Sequence, residues 1–152
     1  MYELSYILHI AGVAVWLGSF LALGWLLRSL SKERGKLKSF APVLRRIQSW
    51  VMWGVIPALL VIVLSGVYMI LQFERDTLPL YLTLMEQGGT MIILLTIILV
   101  SIYSVKLSKK LKGSTLKKDR PLAGITKIYA NYLLISTLAG IGIIIVVGLR
   151  LT

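Results

Sequence analysis

An all-α polytopic membrane protein, an up-down four-helix transmembrane bundle with both termini extracytoplasmic, is the fold this sequence predicts, and three observations predict it. The 152 residues are 57% hydrophobic, and the mean hydropathy of +0.85 is too apolar for a soluble domain of this size. Four runs without a charged residue, 5–27, 51–73, 87–105 and 128–149, approach or exceed the roughly 20 residues that cross a bilayer as helix. Fifteen of the seventeen basic residues lie in or beside two of the three connections. The positive-inside bias then puts loops 31–46 and 106–120 in the cytoplasm.

The first helix is expected over about 3–30. It lacks a basic leader, its apolar run is too long for a signal peptide, and Arg28 follows the run instead of preceding it. A basic connection follows, with Lys32, Arg34, Lys36, Lys38, Arg45 and Arg46 opposed only by Glu33. The second helix is expected over 42–73. Pro42 suits its first turn, where a missing N–H costs least. Pro57 lies deep in the span and predicts a kink, or carbonyls freed to bond elsewhere. A short connection with Glu74, Arg75, Asp76, Thr77 and Pro79 leads to the third helix, expected over 82–111. Gly113 and Ser114 break the second basic connection, and Pro121 opens the fourth helix, expected over 121–150. That connection carries Lys106, Lys109, Lys110, Lys112, Lys117, Lys118, Arg120 and Lys127, opposed only by Asp119. Residues 1–152 thus form a single integral membrane domain.

The net charge of +11 is explained by this loop asymmetry and by attraction to anionic lipid, and nucleic acid is a poor partner for it. The membrane is expected to be a bacterial plasma membrane. With no cysteine in the chain, disulfides, thiolate metal sites and thiol nucleophiles are excluded. Small residues recur within the spans, among them Gly12, Ser19, Ser65, Gly66, Gly88, Gly89, Ser136, Gly140 and Gly142, and let helices approach closely in lipid. Asn131, Ser136 and Thr137 are read as interhelical hydrogen-bonding groups, and Tyr129 and Tyr132 as interfacial belt aromatics.

His9 is the only histidine. With Gly12, Trp16 and Ser19 it falls on one helical stripe, about 6 Å inside a span that begins at Ser5. Ionisable groups inside spans are expensive enough to be functional candidates, and imidazole is a leading ligand for copper, zinc and haem iron. Gly12 leaves room for a partner helix or a flat ligand, Trp16 supplies a planar wall, and Ser19 completes the lining. An ordinary reading competes: a neutral histidine bonded to a backbone carbonyl or hydroxyl beside a packing groove. Glu86, Met69 and Met85 are the additional ligands the topology brings to the same end. Histidine, thioether and carboxylate together suit copper, the thioether favouring Cu(I).

The stretch HIAGVAVWLGSF (9–20) resembles the opening helix of the copper-resistance D (CopD-type) membrane domain. LRRIQSWVMWGVIPALLVIVLSGVYMIL (44–71) is similar to that domain's next helix, with a basic start and a small-Gly pair, Ser65 and Gly66, near its far end. The third helix resembles it in hydropathy and the fourth through 133–148. The same His-plus-Trp pattern resembles the four-helix, haem-using HemJ-type protoporphyrinogen oxidases. Both resemblances match His9 to a first-helix histidine. Both groups also place a lysine within the third helix, whereas 88–103 contains none, with Thr90 or Met91 near that position.

Three functions follow. The first is a copper-resistance D-like protein binding or passing a copper ion near the extracytoplasmic face, with His9 as principal ligand. The second is a haem-binding protein with haem b on His9, five-coordinate or shared by a homodimer. The third is a scaffold subunit for a partner membrane or extracytoplasmic protein. Catalysis is expected least, because the spans hold no deep acid–base pair, no nucleophile beside a base and no nucleotide loop.

Overall fold

The computed structural model describes residues 2–33, 35–73, 79–114 and 120–149. Arg34, Glu74, Arg75, Asp76, Thr77, Lys117, Lys118, Asp119 and position 150 lie outside the described residues. Four helices are long and apolar enough to cross a membrane: α1 (Tyr2–Leu30), α2 (Ala41–Ile70), α3 (Leu80–Leu111) and α4 (Leu122–Gly148). The chain is a multi-pass membrane protein. Among the described residues every regular element is helical.

Prolines and one glycine mark the helix ends. Pro42 sits in the first turn of α2, and Pro79 and Pro121 stand as extended N-caps of α3 and α4. Past the end of α3, Gly113 takes a φ of +80°, which lets the Gly113 and Ser114 amides turn back to the Lys110 and Lys109 carbonyls. An L side chain there would be strained.

Pro57 is absorbed without ending the helix. Its ring excludes the normal bond to the Trp53 carbonyl, and the turn before it widens into a π-helical segment, Val51–Val55. The Ile56 amide reaches back to the Val51 carbonyl, five residues away, so the backbone is satisfied around the missing donor. Pro57→Ala is therefore expected to change stability by no more than about 1 kcal/mol in an unfolding titration in mixed micelles. A gain near the ~3 kcal/mol that proline costs in an ordinary helix interior would show the wide turn to be strained.

The helices pack antiparallel. Gly12 lies against Ile62 and Ala58, Gly24 against Leu134 and Ala130, and Gly88 against Ile143. α1 has extensive interfaces with both α2 and α4, α4 with α3, and the α2–α3 seam is slighter. The core concentrates toward the basic end, where Leu27, Leu44, Val51, Leu107, Tyr129 and Leu133 are fully buried. Toward the N-terminus of α1 it thins, and Leu4, Ile7, Leu8 and Ile10 are exposed. Trp25, Trp53, Leu64 and Leu138 also face outward, 69–82% exposed. An exterior this apolar is suited to lipid, not water. Tyr129 departs from the belt position the sequence implies: it is a core residue with 0% exposure, because α4 turns it toward Ser104 of α3.

Candidate metal centre at His9

His9 lies on α1 and its ring enters the α1–α2 seam, half-buried. Nδ1 is 3.0 Å from the Ile62 carbonyl oxygen and 3.2 Å from Ser65 Oγ. A carbonyl only accepts, so Nδ1 carries the proton of this bond, and in the neutral ring the lone pair then lies on Nε2. Ser65 is oriented to receive the same proton because its hydroxyl donates to the Val61 carbonyl at 2.6 Å. Gly66 gives the ring its space: a Cβ there would lie 3.2 Å from His9 Cε1.

Nε2 makes no hydrogen bond among the described residues and is not among their buried unpartnered atoms, so it retains access to the surroundings. Histidines that ligate metal through one nitrogen characteristically anchor the other to a carbonyl or carboxylate, which fixes the tautomer and the ring plane. The Ile62 carbonyl supplies that anchor here. The same bond also fits the ordinary reading of a satisfied seam histidine, and the open Nε2 is the feature that reading leaves unused.

The other stripe residues divide between two neighbours. Gly12 is buried against α2, and the space it leaves is filled by Ile62, whose Cγ1 would be 2.7 Å from a Cβ at position 12. Ser19 accepts a bond from Trp50 Nε1 of α2 at 3.4 Å. Trp16 turns toward α4 instead, 5% exposed, with its ring over Gly140. Its Nε1 donates to Ser136 Oγ at 3.1 Å, and Ser136 Oγ is 2.8 Å from Thr96 Oγ1 of α3. Ser136 therefore ties three helices together.

Met69 is buried on α2, one turn beyond Ser65 and on the same face, since residues four apart on a helix are neighbours. No bond joins it to His9 in the structure. Met85 and Glu86 are half-buried in the early turns of α3, and neither is among His9's bonding partners. Among the described residues no group of three or more His, Cys, Asp and Glu side chains is arranged to hold a metal ion. Met91, near the position of the lysine that the resemblances imply, is 66% exposed.

Three polar residues carry more than the sequence reading gave them. Ser65 stands out there only as a small packing residue, yet it faces the imidazole. Thr96 is not singled out at all and closes the Trp16–Ser136 chain. Arg28 Nη1 donates to Asn131 Oδ1 across α1 and α4 at 3.3 Å, so Asn131 and Ser136 are interhelical as expected. Thr137 bonds within its own helix, to the Leu133 carbonyl. No family model, curated protein or solved structure matches the chain.

Proposed function

We propose that this is a small plasma-membrane protein, of copper-resistance D-like type, that binds or passes a copper ion near the extracytoplasmic end of its bundle. His9 is the principal ligand through Nε2, and both termini face out, with the basic loops in the cytoplasm. The observation that carries the reading is the anchored Nδ1–H, which presents Nε2 as a lone-pair donor in a fixed orientation. Met69 is the second donor best placed by register, one turn beyond Ser65 on the face of α2 that meets α1. An imidazole and a thioether form a soft donor pair suited to Cu(I), which accepts low coordination numbers. Glu86 and Met85, in the early turns of α3, are further candidates that make no bond to His9.

Haem b is the second reading, favoured by one fact: iron already held by a porphyrin needs only one axial imidazole from the chain. The slot expected between Gly12 and Trp16 argues against it, because Ile62 occupies the space at Gly12 and the Trp16 ring packs away from it against α4. A macrocycle would have to sit on the outer surface of the seam or between two copies of the chain.

The test is purification in a neutral detergent, titration with Cu(I) against a competing chelator, and visible spectra of oxidised and reduced protein. One copper per chain is expected, abolished in His9→Ala and weakened about tenfold or more in Met69→Leu, with Glu86→Gln unchanged. A Soret band lost in His9→Ala would replace copper with haem. Neither signal, with His9→Ala folding normally, would leave the scaffold reading.

A further inference from the structure

At the opposite end of the bundle from His9 lies a cavity of about 340 Å³, lined by Trp25, Arg28, Ser29 and Lys32 of α1 and the connection after it and by Leu134 of α4. We infer that this cavity binds one anionic phospholipid, its phosphate held by Arg28 and Lys32 and its glycerol and upper acyl chain lying on Trp25 and Leu134.

The charge arrangement supplies the first reason. The cavity has two cationic side chains and a hydroxyl, and no carboxylate lines it. Arg28 is held at its mouth by the bond from Nη1 to Asn131 Oδ1. A guanidinium carries five N–H donors in a rigid fork, so those not engaged by Asn131 remain for phosphate oxygens. Being held in place, the fork loses less side-chain freedom on binding than an unrestrained surface arginine does.

The order of the lining along the helix supplies the second. Arg28 and Lys32 belong to the last turn of α1 and the connection after it, while Trp25 sits about 4.5 Å deeper, at ~1.5 Å per residue. Trp25 is 74% exposed, so its indole lies open to lipid at the depth where aromatic belts meet glycerol groups. Cation outermost, hydroxyl beside it, indole and leucine beneath: this is the polarity gradient of a phospholipid read from headgroup to chain. A free phosphate would use only the upper half of it. Basic cavities between membrane helices are known headgroup sites by the same physics. The inference is independent of the reading of His9 and of which end faces the cytoplasm.

Native mass spectrometry of the detergent-purified chain tests it. The chain is equilibrated with equimolar phosphatidylglycerol and phosphatidylcholine of identical acyl chains. One retained phosphatidylglycerol is expected, preferred on the order of tenfold. The preference should fall to within about twofold in Arg28→Gln/Lys32→Gln and survive in Lys109→Gln/Lys112→Gln, which removes equal charge elsewhere at the same end. Arg28→Lys should give an intermediate value, since it keeps the charge and loses the fork. This milder change keeps the test decisive if the double variant does not fold. Trp25→Ala should weaken lipid retention, and millimolar inorganic phosphate should not displace the lipid. Equal loss in both double variants would reduce the effect to a diffuse field and overturn the site. Displacement by inorganic phosphate with Trp25→Ala unchanged would make it a free-anion site and overturn the lipid assignment.

Discussion

Gly12→Ala should cost about 1–3 kcal/mol of bundle stability and, in the same step, lower the affinity of the copper site proposed at His9. A Cβ at position 12 would lie 2.7 Å from Ile62 Cγ1 and 3.3 Å from the Ala58 carbonyl oxygen. The first contact is with the middle of a branched side chain and the second with backbone, so neither neighbour can yield by a rotamer change alone. α1 and α2 must separate, and the Ile62 carbonyl that anchors His9 Nδ1 moves with the separation. Ile62→Ala should partly rescue the substitution by removing the obstructing atoms. The two changes together should cost less than the sum of the two alone, by ~1 kcal/mol or more in a double-mutant cycle. Unfolding in mixed micelles gives the cycle, and the copper titration gives the second readout. Additive costs, or copper affinity unchanged in a destabilised Gly12→Ala, would separate the packing of this seam from the orientation of the imidazole.

What the sequence made legible divides along one physical line. The spans were readable because hydropathy summed over twenty residues is a strong signal, and the helix starts at Pro42 and Pro121 were readable because backbone chemistry favours proline there. Which neighbour each inward residue meets was not, because a helix bathed in lipid is apolar all round and its pattern does not separate core from exterior. Trp16 and Gly12 share a stripe yet meet different helices, α4 and α2, because that face of α1 is shared by two neighbours. Ser65 was within reach of a register argument. In an antiparallel hairpin turning near residues 35–37, His9 falls opposite residues around 61–65. The polar atoms of that stretch are the Ser65 hydroxyl and the backbone. Thr96 carried no such signal, since its pairing with Ser136 depends on the exact α3–α4 register, which hydropathy does not set.

The two ends of the bundle are built differently, and the difference bears on function. Fully buried aliphatic residues accumulate toward the basic end, where Leu27, Leu44, Val51, Leu107 and Leu133 have 0% exposure. The His9 end relies on small residues, Gly12, Ser65 and Gly66, and on few large ones. A sparsely packed end has less energy opposing local opening than a dense one, which suits the ligand-binding role proposed for the imidazole. At the dense end the Arg28–Asn131 bond joins α1 to α4.

Between these ends, the largest single loss of stability is expected at Trp16. Trp16→Ala should cost about 3–5 kcal/mol, the range for truncating a large buried aromatic, because its ring fills the seam beside Gly140, where a Cβ would lie 2.9 Å from Trp16 Cη2. Trp16→Phe keeps most of that volume and removes only the Nε1 donor to Ser136. Ser136 retains Thr96, so the loss should be no more than about 1 kcal/mol, in line with interhelical hydrogen bonds in lipid. Ser136→Ala should fall between the two. It leaves both Trp16 Nε1 and Thr96 Oγ1 without their partner in a medium that offers no water, at ~0.6 kcal/mol on average for each bond lost. The order Trp16→Ala, then Ser136→Ala, then Trp16→Phe is read from unfolding midpoints in mixed micelles. A Trp16→Phe as costly as Trp16→Ala would assign the seam's strength to the hydrogen bond and not to the volume. A neutral Ser136→Ala would mean that the three-helix bridge contributes geometry without stability. Trp16→Phe should also leave the affinity of the proposed copper site unchanged, since the indole bonds to α4 while the imidazole is held by α2. A joint loss would mean that α1 responds to its two neighbours as one rigid body.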